Sequence, residues 1–481
     1  MLLALRASNA AHGLPLRVLL TLTVIIVLFS SACNSKSPRD INDDQNTANK
    51  TKLSLTSNQS GGSFTIASRG QQSLQRPQPN LSPEQQLEWA VGKSFATQAW
   101  VAAPATTKAR DGLGPLFNTN SCTGCHVRNG QGQLPENGVG LILRLGSSSP
   151  ELGEQLQDMA IPGAKPEGSV NWQSISSNVA MADGRHYQLK QRDYRFESLG
   201  HVSQIAASAR LAPALIGMGL IDNISDADII ANSDPQDRDG DGISGRVNLR
   251  KNKTDEQARP GRFGWKASQV SLHEQVALAF FEDMGITSSL HPAKPCAEKP
   301  CVAQTNTNPE PEISNKLLVA VSDYIANLAV PAAVQDDASQ QGAAIFTQLG
   351  CAACHIPAFN TSLPAGQFAK SPDPEKFSNI GAVIETIYPY SDLLLHDMGI
   401  GLADQYPTDN AAAKEWRTAP LWGLGIRASN SNNTRLLHDG RARSITEAIL
   451  WHGGEAKASK VGFTQLSNPE QTALLYFLKA L

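Results

Sequence analysis

Three features that would assign this sequence to common protein classes are scarce in it. Basic residues do not exceed acidic ones: the 481 residues include 41 Lys and Arg and 44 Asp and Glu, a net charge of −3, so a general nucleic-acid-binding surface is excluded. Cysteine is infrequent, with seven residues. Long apolar runs are missing as well, because Val18–Phe29 is about twelve residues long and too short to cross a bilayer as a helix. The function therefore has to be sought in short motifs.

The N-terminal segment has the pattern of an export signal. Two arginines precede the apolar run, and Ser30-Ser31-Ala32-Cys33 follows it, an order typical of bacterial lipoprotein signals. We predict a signal peptide over residues 1–33, a lipid on Cys33 and a location on the periplasmic face of a bacterial membrane. Cleavage near Ala32 without a lipid is the alternative. The polar residues 34–80 are predicted to form a disordered tether.

Two copies of the pentapeptide CxxCH carry the strongest signal. They are Cys122-Thr123-Gly124-Cys125-His126 and Cys351-Ala352-Ala353-Cys354-His355; chance would give on the order of 0.002 copies. In an exported chain, two thiols at this spacing add to the vinyl groups of a haem, and the next imidazole binds its iron. A zinc site built from both cysteine pairs would leave the two histidines without a role, and no βαβ pattern indicates a thioredoxin-like dithiol. The motifs predict two covalently bound haems c.

The remaining cysteines leave no spare thiol. Cys33 is assigned to lipid, and Cys296 and Cys301 lie close together in the sequence. In an oxidising compartment this closeness predicts a local disulfide. A thiol–disulfide relay through this chain is therefore disfavoured.

A second repeated motif follows each CxxCH. Arg210-Leu211-Ala212-Pro213 and Arg417-Thr418-Ala419-Pro420 both have the form RxAP, and the repeated order of CxxCH and RxAP indicates two domains that arose by duplication. We place these domains at 81–311 and 312–481. Arg210 and Arg417 are predicted to bind haem propionates; a helix cap or a surface ion pair is the alternative role.

Apolar periodicity predicts helices. Ser271–Gly285 and Ile313–Val330 have helical spacing, and the last helix is expected to begin with Asn468 as N-cap and Pro469 as its first residue. An apolar helix is expected to lead into each CxxCH, as in class I cytochromes c, and GPLFNTNSCTGCH is the first example. No segment indicates a sheet. The predicted fold is therefore mainly α, with two fused class I cytochrome c-like domains and long loops.

An acidic loop has the spacing of a cation site. Asp237, Asp239 and Asp241 alternate with other residues, and Gly242 allows the sharp turn that lets alternate carboxylates converge on one ion. Asn248 stands where an EF-hand has its bidentate glutamate, so a complete EF-hand is disfavoured. The run predicts a simple calcium loop; a solvated Asp-Gly turn is the alternative.

Several longer segments resemble the bacterial di-haem cytochrome c oxidoreductases, a family also labelled thiol oxidoreductase and related to the di-haem cytochrome c peroxidases. The resemblance covers residues 81–481. Besides the CxxCH motifs, its most specific segments are SARLAPALIGMGLID, AFFEDMGITS, PYSDLLLHDMGIGLAD and LLHDGRARSITEAILWHGGEA. It implies two fused haem domains, of which one takes in electrons and the other reduces peroxide.

The resemblance also implies a second axial ligand for the iron of the C-terminal haem. In the peroxidases a short helix after a His-Asp-Gly turn presents this ligand; the turn here is His438-Asp439-Gly440, and His452 stands at the matching offset. Met398 and His396 are the alternatives. His438 itself is expected to stabilise the turn or contact a propionate.

For the iron of the N-terminal haem, the resemblance implies a histidine shortly before the first RxAP motif. His201 occupies that position and is the expected ligand. The N-terminal haem is also expected to be the reactive one, with Glu197 and His201 as the candidate acid–base residues.

Three functions fit these observations. The first is a peroxidase-like oxidoreductase that takes electrons from a redox partner protein or small donor and reduces a small oxidant such as peroxide. The second is an electron carrier with two six-coordinate irons and no substrate site. The third, implied by the family label, is direct thiol oxidation, for which the chain has no spare cysteine. Membrane contact is expected through the lipid on Cys33.

Overall fold

Strands contribute far more to the structure than the sequence indicates. The computed structural model describes residues 58–134, 141–146, 153–198, 201–203, 206–292, 311–361, 385–429 and 435–481, and for 195–198 and 201–203 the description covers the backbone. In the described residues the content is 35% helix and 20% strand, in many small sheets. The predicted mainly α fold class is therefore wrong.

The elements alternate along the described part of the chain. The helices are α1 (Pro83–Thr97), α2 (Cys122–Cys125), α3 (Met218–Asp222), α4 (Asp226–Ala231), α5 (Leu272–Met284), α6 (Asn315–Ala326), α7 (Asp337–Gln348), α8 (Leu424–Ala428), α9 (Ile445–Trp451), α10 (Lys457–Gln465) and α11 (Asn468–Ala480). The strands are β1 (Thr65–Ile66), β2 (Leu116–Phe117), β3 (Ile142–Leu145), β4 (Met159–Ala160), β5 (Gly168–Ala180), β6 (His186–Ser198), β7 (His201–Ser203), β8 (Ala207–Arg210), β9 (Leu249–Lys251), β10 (Ala258–Pro260), β11 (Val330–Pro331), β12 (Phe359–Asn360), β13 (Thr386–Ile387), β14 (Leu395–Asp397) and β15 (Glu415–Arg417).

Most strands are short, and several pair with segments that are distant in the sequence. β1 pairs in parallel with β11, and β3 pairs antiparallel with β8. Two or three residues show no periodicity that sequence could reveal. The exception is the long antiparallel pair β5–β6, in register from Gly168 opposite Ser198 to Ala180 opposite His186. The side chains of β5 are mostly exposed, so this strand lacks the alternating apolar pattern of a half-buried sheet.

Two of the predicted helices form close to their expected bounds. Helices α5 and α6 occupy the segments expected from apolar spacing. Ser271 caps α5 by accepting a hydrogen bond from the backbone N–H of Glu274, and Gly285 ends it in the left-handed conformation.

Two details of the helix predictions are wrong. The N-cap of α11 is Ser467 rather than Asn468, because Ser467 and Glu470 form a capping box. Strand β2 precedes the first CxxCH, where a helix was expected. Helix α1 lies further upstream, and the carbonyl oxygen of its last residue, Thr97, accepts a hydrogen bond from the hydroxyl of Thr123 in the motif.

Helix pairs cross in the same way in both halves of the chain. Gly92 of α1 lies directly against the backbone of α6, and Gly342 of α7 lies directly against the backbone of α11. An aromatic residue of the second helix, Tyr324 or Phe477, packs beside each glycine. The predicted domain boundary before residue 312 stays a prediction; α6, which follows it, packs against α1, which precedes it.

Two large apolar clusters fill the interior. The first joins α1 and α5 through Trp89 and Phe280 and also contains Trp422 from the C-terminal half. The second surrounds α7 and α11 and contains Met181 and Leu189 from the end of the β5–β6 hairpin. The hairpin thus ties the N-terminal half to the C-terminal core.

Some predictions concern residues outside the described ranges. Cys33, Cys296 and Cys301 are among them, so the lipid and the disulfide stay predictions. Within the described ranges, the helices are all too short or too polar to span a bilayer.

Candidate functional site

The first CxxCH lines a cavity of about 250 Å³. Helix α2 carries Cys122 and Cys125, and His126 follows it directly. Nδ1 of His126 donates a hydrogen bond to the carbonyl oxygen of Pro213 at 2.7 Å, which fixes the ring and leaves Nε2 to bind a metal. Because Pro213 belongs to the first RxAP motif, the two repeated motifs of this half meet at one site.

The second CxxCH lines a cavity of about 220 Å³ that is also lined by His355 and His452. Nδ1 of His355 donates to the carbonyl oxygen of Tyr390 at 2.9 Å, and Nδ1 of His452 donates to that of Ala448 at 2.6 Å. Each ring therefore keeps Nε2 as a metal ligand. Two imidazoles from distant parts of the chain face one cavity.

Burial sets the protonation of these histidines. It lowers the pKa of His126 and of His355 to about 4 and also lowers the pKa of His452. At neutral pH all three rings are uncharged. A neutral imidazole is the form that binds iron.

Burial also keeps the cysteine thiols protonated. It raises the pKa of Cys122 and Cys125 to about 12 and that of Cys351 to about 11. A redox dithiol needs an accessible thiolate, so these thiols are poorly suited to that role. The two cysteine pairs line different cavities, which excludes a shared four-cysteine zinc site.

The two RxAP motifs contact each other reciprocally. A glycine at positive φ begins the helix after each motif, Gly217 before α3 and Gly423 before α8. Gly217 lies against Trp422, the residue before Gly423, and Gly423 lies against Ile216, the residue before Gly217. Only glycine adopts this backbone without a Cβ clash. The duplicated segments thus pack against each other, and Arg417, Ala419 and Pro420 of the second motif line both cavities.

The two repeated arginines have different partners. Arg210 ends β8 and pairs with Asp404 at 2.8 Å, while its guanidinium lies 4.6 Å from the centre of the Trp416 ring. Arg417 ends β15, is 8% exposed and donates to the carbonyl oxygens of Gly264 and Thr418. Arg210 already has a carboxylate partner, whereas Arg417 donates only to neutral carbonyl groups in the described part of the chain.

A third arginine, Arg427 of α8, lines both cavities. It donates to the carbonyl oxygen of Pro420 at 3.2 Å, and its Nε is buried without a partner in the described structure. Burial lowers the pKa of Arg417 and of Arg427 to about 10, so both remain charged at neutral pH. Buried cations of this kind are normally paired, and both face the cavities.

Trp265 also lines both cavities. Its indole N–H donates to the carbonyl oxygen of Leu211 at 2.8 Å, and its own carbonyl oxygen accepts from the backbone N–H of Arg417 at 2.9 Å. Each RxAP motif therefore holds one end of this residue. An aromatic ring stands between the two sites.

The walls of the first cavity combine one imidazole with several other polar groups. His126 is the one histidine among the described residues that line it. The side-chain oxygen of Gln275 is buried there without a hydrogen-bond partner, and Asp283 lines the same cavity. Burial raises the pKa of Asp283 to about 7. Met218 and Met284 contribute thioethers to this lining.

His396 and Met398, the alternatives to His452, also line the second cavity. Nε2 of His396 lies 2.8 Å from a carboxylate oxygen of Asp392, and Nδ1 lies 2.7 Å from one of Glu455. Both ring nitrogens are engaged, and the carboxylates raise the pKa of His396 to about 12 against the opposing effect of burial. A doubly hydrogen-bonded imidazolium has no lone pair for iron.

His438 lies in the wall of the second cavity. Its ring stacks on Trp416 with centroids 3.6 Å apart, and its carbonyl oxygen accepts from the backbone N–H of Leu211. It is 5% exposed. The two expected roles of His438, in stabilising the turn and in contacting a propionate, stay predictions.

The structure describes only the backbone of Glu197 and His201, in the sheet formed by β5, β6 and β7. Their side chains lie outside the described part, so their acid–base and ligand roles stay predictions. The acidic loop is described in full: carboxylate oxygens of Asp237, Asp239 and Asp241 lie within 4.8 Å of one another. The calcium site also stays a prediction.

Sequence reasoning missed three residues of these sites: Gln275, Trp265 and Arg427. Gln275 and Trp265 belong to no repeated motif, and Arg427 lies seven residues after Pro420 with no counterpart in the first repeat. The orientation of each depends on packing between distant segments. Local sequence carries no signal for that.

Both cavities suit haem. Each presents two thiols and a neutral imidazole at a largely apolar wall. The partnerless Nε of Arg427 and the side-chain oxygen of Gln275 are buried polar atoms that need a partner, and a propionate or an iron-bound molecule would provide one.

Comparison with known proteins agrees with this chemistry. The model of a family described as "Di-haem oxidoreductase, putative peroxidase" matches residues 55–143 and 185–481, which is more than half of the chain. Strand β5 lies in the segment between the two matched ranges. Neither the curated proteins nor the solved structures contain a match.

Proposed function

Because the chain belongs to the di-haem oxidoreductase family, we propose that it transfers electrons between two covalently bound haems c and reduces a small oxidant such as peroxide in the first cavity. The carrying observation is the difference between the cavities. The neutral rings of His355 and His452 both face the second cavity with Nε2 available for iron, whereas the described lining of the first contains one histidine, His126, and the partnerless side-chain oxygen of Gln275.

The ligand sets follow from this difference. Cys122, Cys125 and His126 would hold the first haem, while Cys351, Cys354 and the pair His355 and His452 would hold the second. The haems supply the iron redox chemistry. Ligation by two histidines favours a low potential and an iron closed to substrate, so the second site suits storage and delivery of electrons.

In the first cavity, the chain supplies polar groups for a small oxidant. Reduction of hydrogen peroxide to two water molecules consumes two electrons and two protons. Gln275 can hydrogen-bond the oxidant, because its side-chain oxygen has no other described partner. Asp283 can hold a proton at neutral pH, because burial raises its pKa to about 7, and a pKa near the working pH suits a general acid.

Trp265 is proposed to carry electrons between the sites, since it lines both cavities. Trp265→Phe should keep both haems and their spectra but slow the re-equilibration of electrons after rapid reduction. Trp451→Phe is a matched control, because Trp451 lies outside the lining of both cavities. Equal rates in the two variants and the wild type would remove Trp265 from the path.

Export, lipid anchoring at the periplasmic face and a redox partner protein or small donor remain part of the proposal. The N-terminal signal and Cys33 support them. Mass spectrometry of protein from an export-competent bacterium tests the anchor, since a lipidated chain begins at Cys33 and carries the added acyl mass.

The decisive experiment is spectroscopy of the oxidised, half-reduced and fully reduced protein with and without peroxide. Pyridine haemochrome analysis should give two covalent haems per chain. A high-spin haem that reacts with peroxide, and reacts more slowly in Gln275→Leu, is the expected result. Two low-spin haems that are inert at every redox level would instead identify an electron carrier.

A further inference from the structure

Two buried arginines form the part of the wall shared by the cavities. Arg417 and Arg427 line both of them, together with Trp265 and the Ala-Pro of the second RxAP motif. In the described structure, both guanidinium groups donate their hydrogen bonds to neutral carbonyl oxygens. Nε of Arg427 is buried without a partner.

The charge of the second cavity is unbalanced. Its described lining contains the cations Arg417, Arg427 and Lys460 and the imidazolium of His396 but no aspartate or glutamate, and the nearby carboxylates of Asp392 and Glu455 are hydrogen-bonded to His396. In the first cavity, by contrast, Arg144 pairs with Glu282 and Arg210 pairs with Asp404. A buried cation without an anion is costly, so the shared wall requires negative groups from whatever fills the cavities.

We propose that Arg417 and Arg427 bind carboxylate groups of both haems and thereby set the reduction potentials of the two haems together. This inference rests on the proposed function, because it requires a haem in each cavity. Haem carries its propionate carboxylates at one edge, and a guanidinium is the side chain best matched to a carboxylate. Arg417 has a counterpart in Arg210 of the first RxAP motif, whereas Arg427 has no counterpart in the first repeat.

The shared position has a measurable consequence. Reduction removes one positive charge from a haem, so a nearby buried cation favours the reduced form. The loss of Arg427 should therefore lower both midpoint potentials. A residue that lines one cavity should affect one haem, because the interaction weakens with distance.

Redox titration of the full-length, haem-loaded protein tests the inference. Arg427→Gln should lower both potentials, each by at least a tenfold change in the reduction equilibrium, which is about 59 mV for a one-electron couple. Lys460→Gln removes the same charge from a residue that lines the second cavity only, and it should lower the second potential alone. Lys251→Gln, with a side chain 68% exposed, should change neither.

Arg427→Lys and Arg417→Gln complete the series. Arg427→Lys keeps the charge, so both potentials should stay within half of the shift seen in Arg427→Gln. Arg417→Gln should also lower both potentials, and it replaces Arg427→Gln as the test if Arg427→Gln does not fold. Two covalent haems with either potential unmoved in the Gln variants would overturn the inference and leave the proposed function intact. Wild-type protein without two haems would overturn the proposed function itself.

Discussion

The buried charge cluster around His396 allows a sharp test of how the second site is built. His396 is 2% exposed, and its two ring nitrogens lie 2.8 Å and 2.7 Å from the carboxylates of Asp392 and Glu455. Glu455 also accepts from the hydroxyl of Ser244. Replacement of the imidazolium by the amide of glutamine would leave two carboxylates close together in the interior.

The expected loss in the free energy of unfolding follows from this burial. Removal of one partner from a buried ion pair costs about 3–5 kcal/mol, because the remaining charge is left uncompensated. For His396→Gln we expect the free energy of unfolding to fall by an amount within that range and the melting temperature to fall clearly. His396→Gln combined with Asp392→Asn and Glu455→Gln removes the stranded charges and should recover part of the loss. Chemical denaturation at pH 6–7, followed by circular dichroism, measures both variants.

The pH dependence has a definite sign. The folded pKa of His396 is raised to about 12, above the unfolded value of about 6.5. Its stabilisation is therefore complete below about pH 6.5 and declines as the pH rises toward 12. The difference in stability between wild type and His396→Gln should shrink accordingly between pH 6.5 and 10.

The haem spectrum separates a charge-balancing role from a ligand role. His396→Gln should keep the low-spin signature of the second haem, whereas His452→Gln should abolish it. A His396→Gln protein that loses less than about 1 kcal/mol but loses the low-spin signature would refute this account and make His396 the ligand.

Three further predictions follow from the same structure. Gly217→Ala should lower the free energy of unfolding by more than Gly184→Ala does, as measured by chemical denaturation. Both glycines have positive φ, but of the two only Gly217 lies against a neighbouring side chain, that of Trp422. Asp283→Asn should gain stability relative to wild type as the pH rises from 5 to 8: the folded pKa of Asp283 is raised to about 7, so the favourable neutral carboxyl is lost through that range. Calcium should raise the melting temperature of wild type but not of Asp239→Asn; equal responses would exclude the loop as a calcium site.

The parts of this protein that were predictable depend on local chemistry. Helices α5 and α6 follow from apolar spacing, and in the structure each begins at a serine N-cap. Each CxxCH motif places two thiols and an imidazole within five consecutive residues, and each motif lines one cavity. The small strands were not predictable, because two to four residues show no periodicity and a pairing such as that of Thr65 in β1 with Val330 in β11 joins distant segments.

The sequence by itself predicted where two haems would be attached and which family the chain resembles, because the attachment motif consists of residues that are close together along the chain. Only the tertiary structure decided what surrounds those anchors. It engaged both nitrogens of His396 with carboxylates, turned His452 into the second cavity, and left Arg427 and Gln275 with partnerless atoms at the cavity walls. Burial and charge pairing depend on packing between distant segments, and that packing exists only in the folded chain.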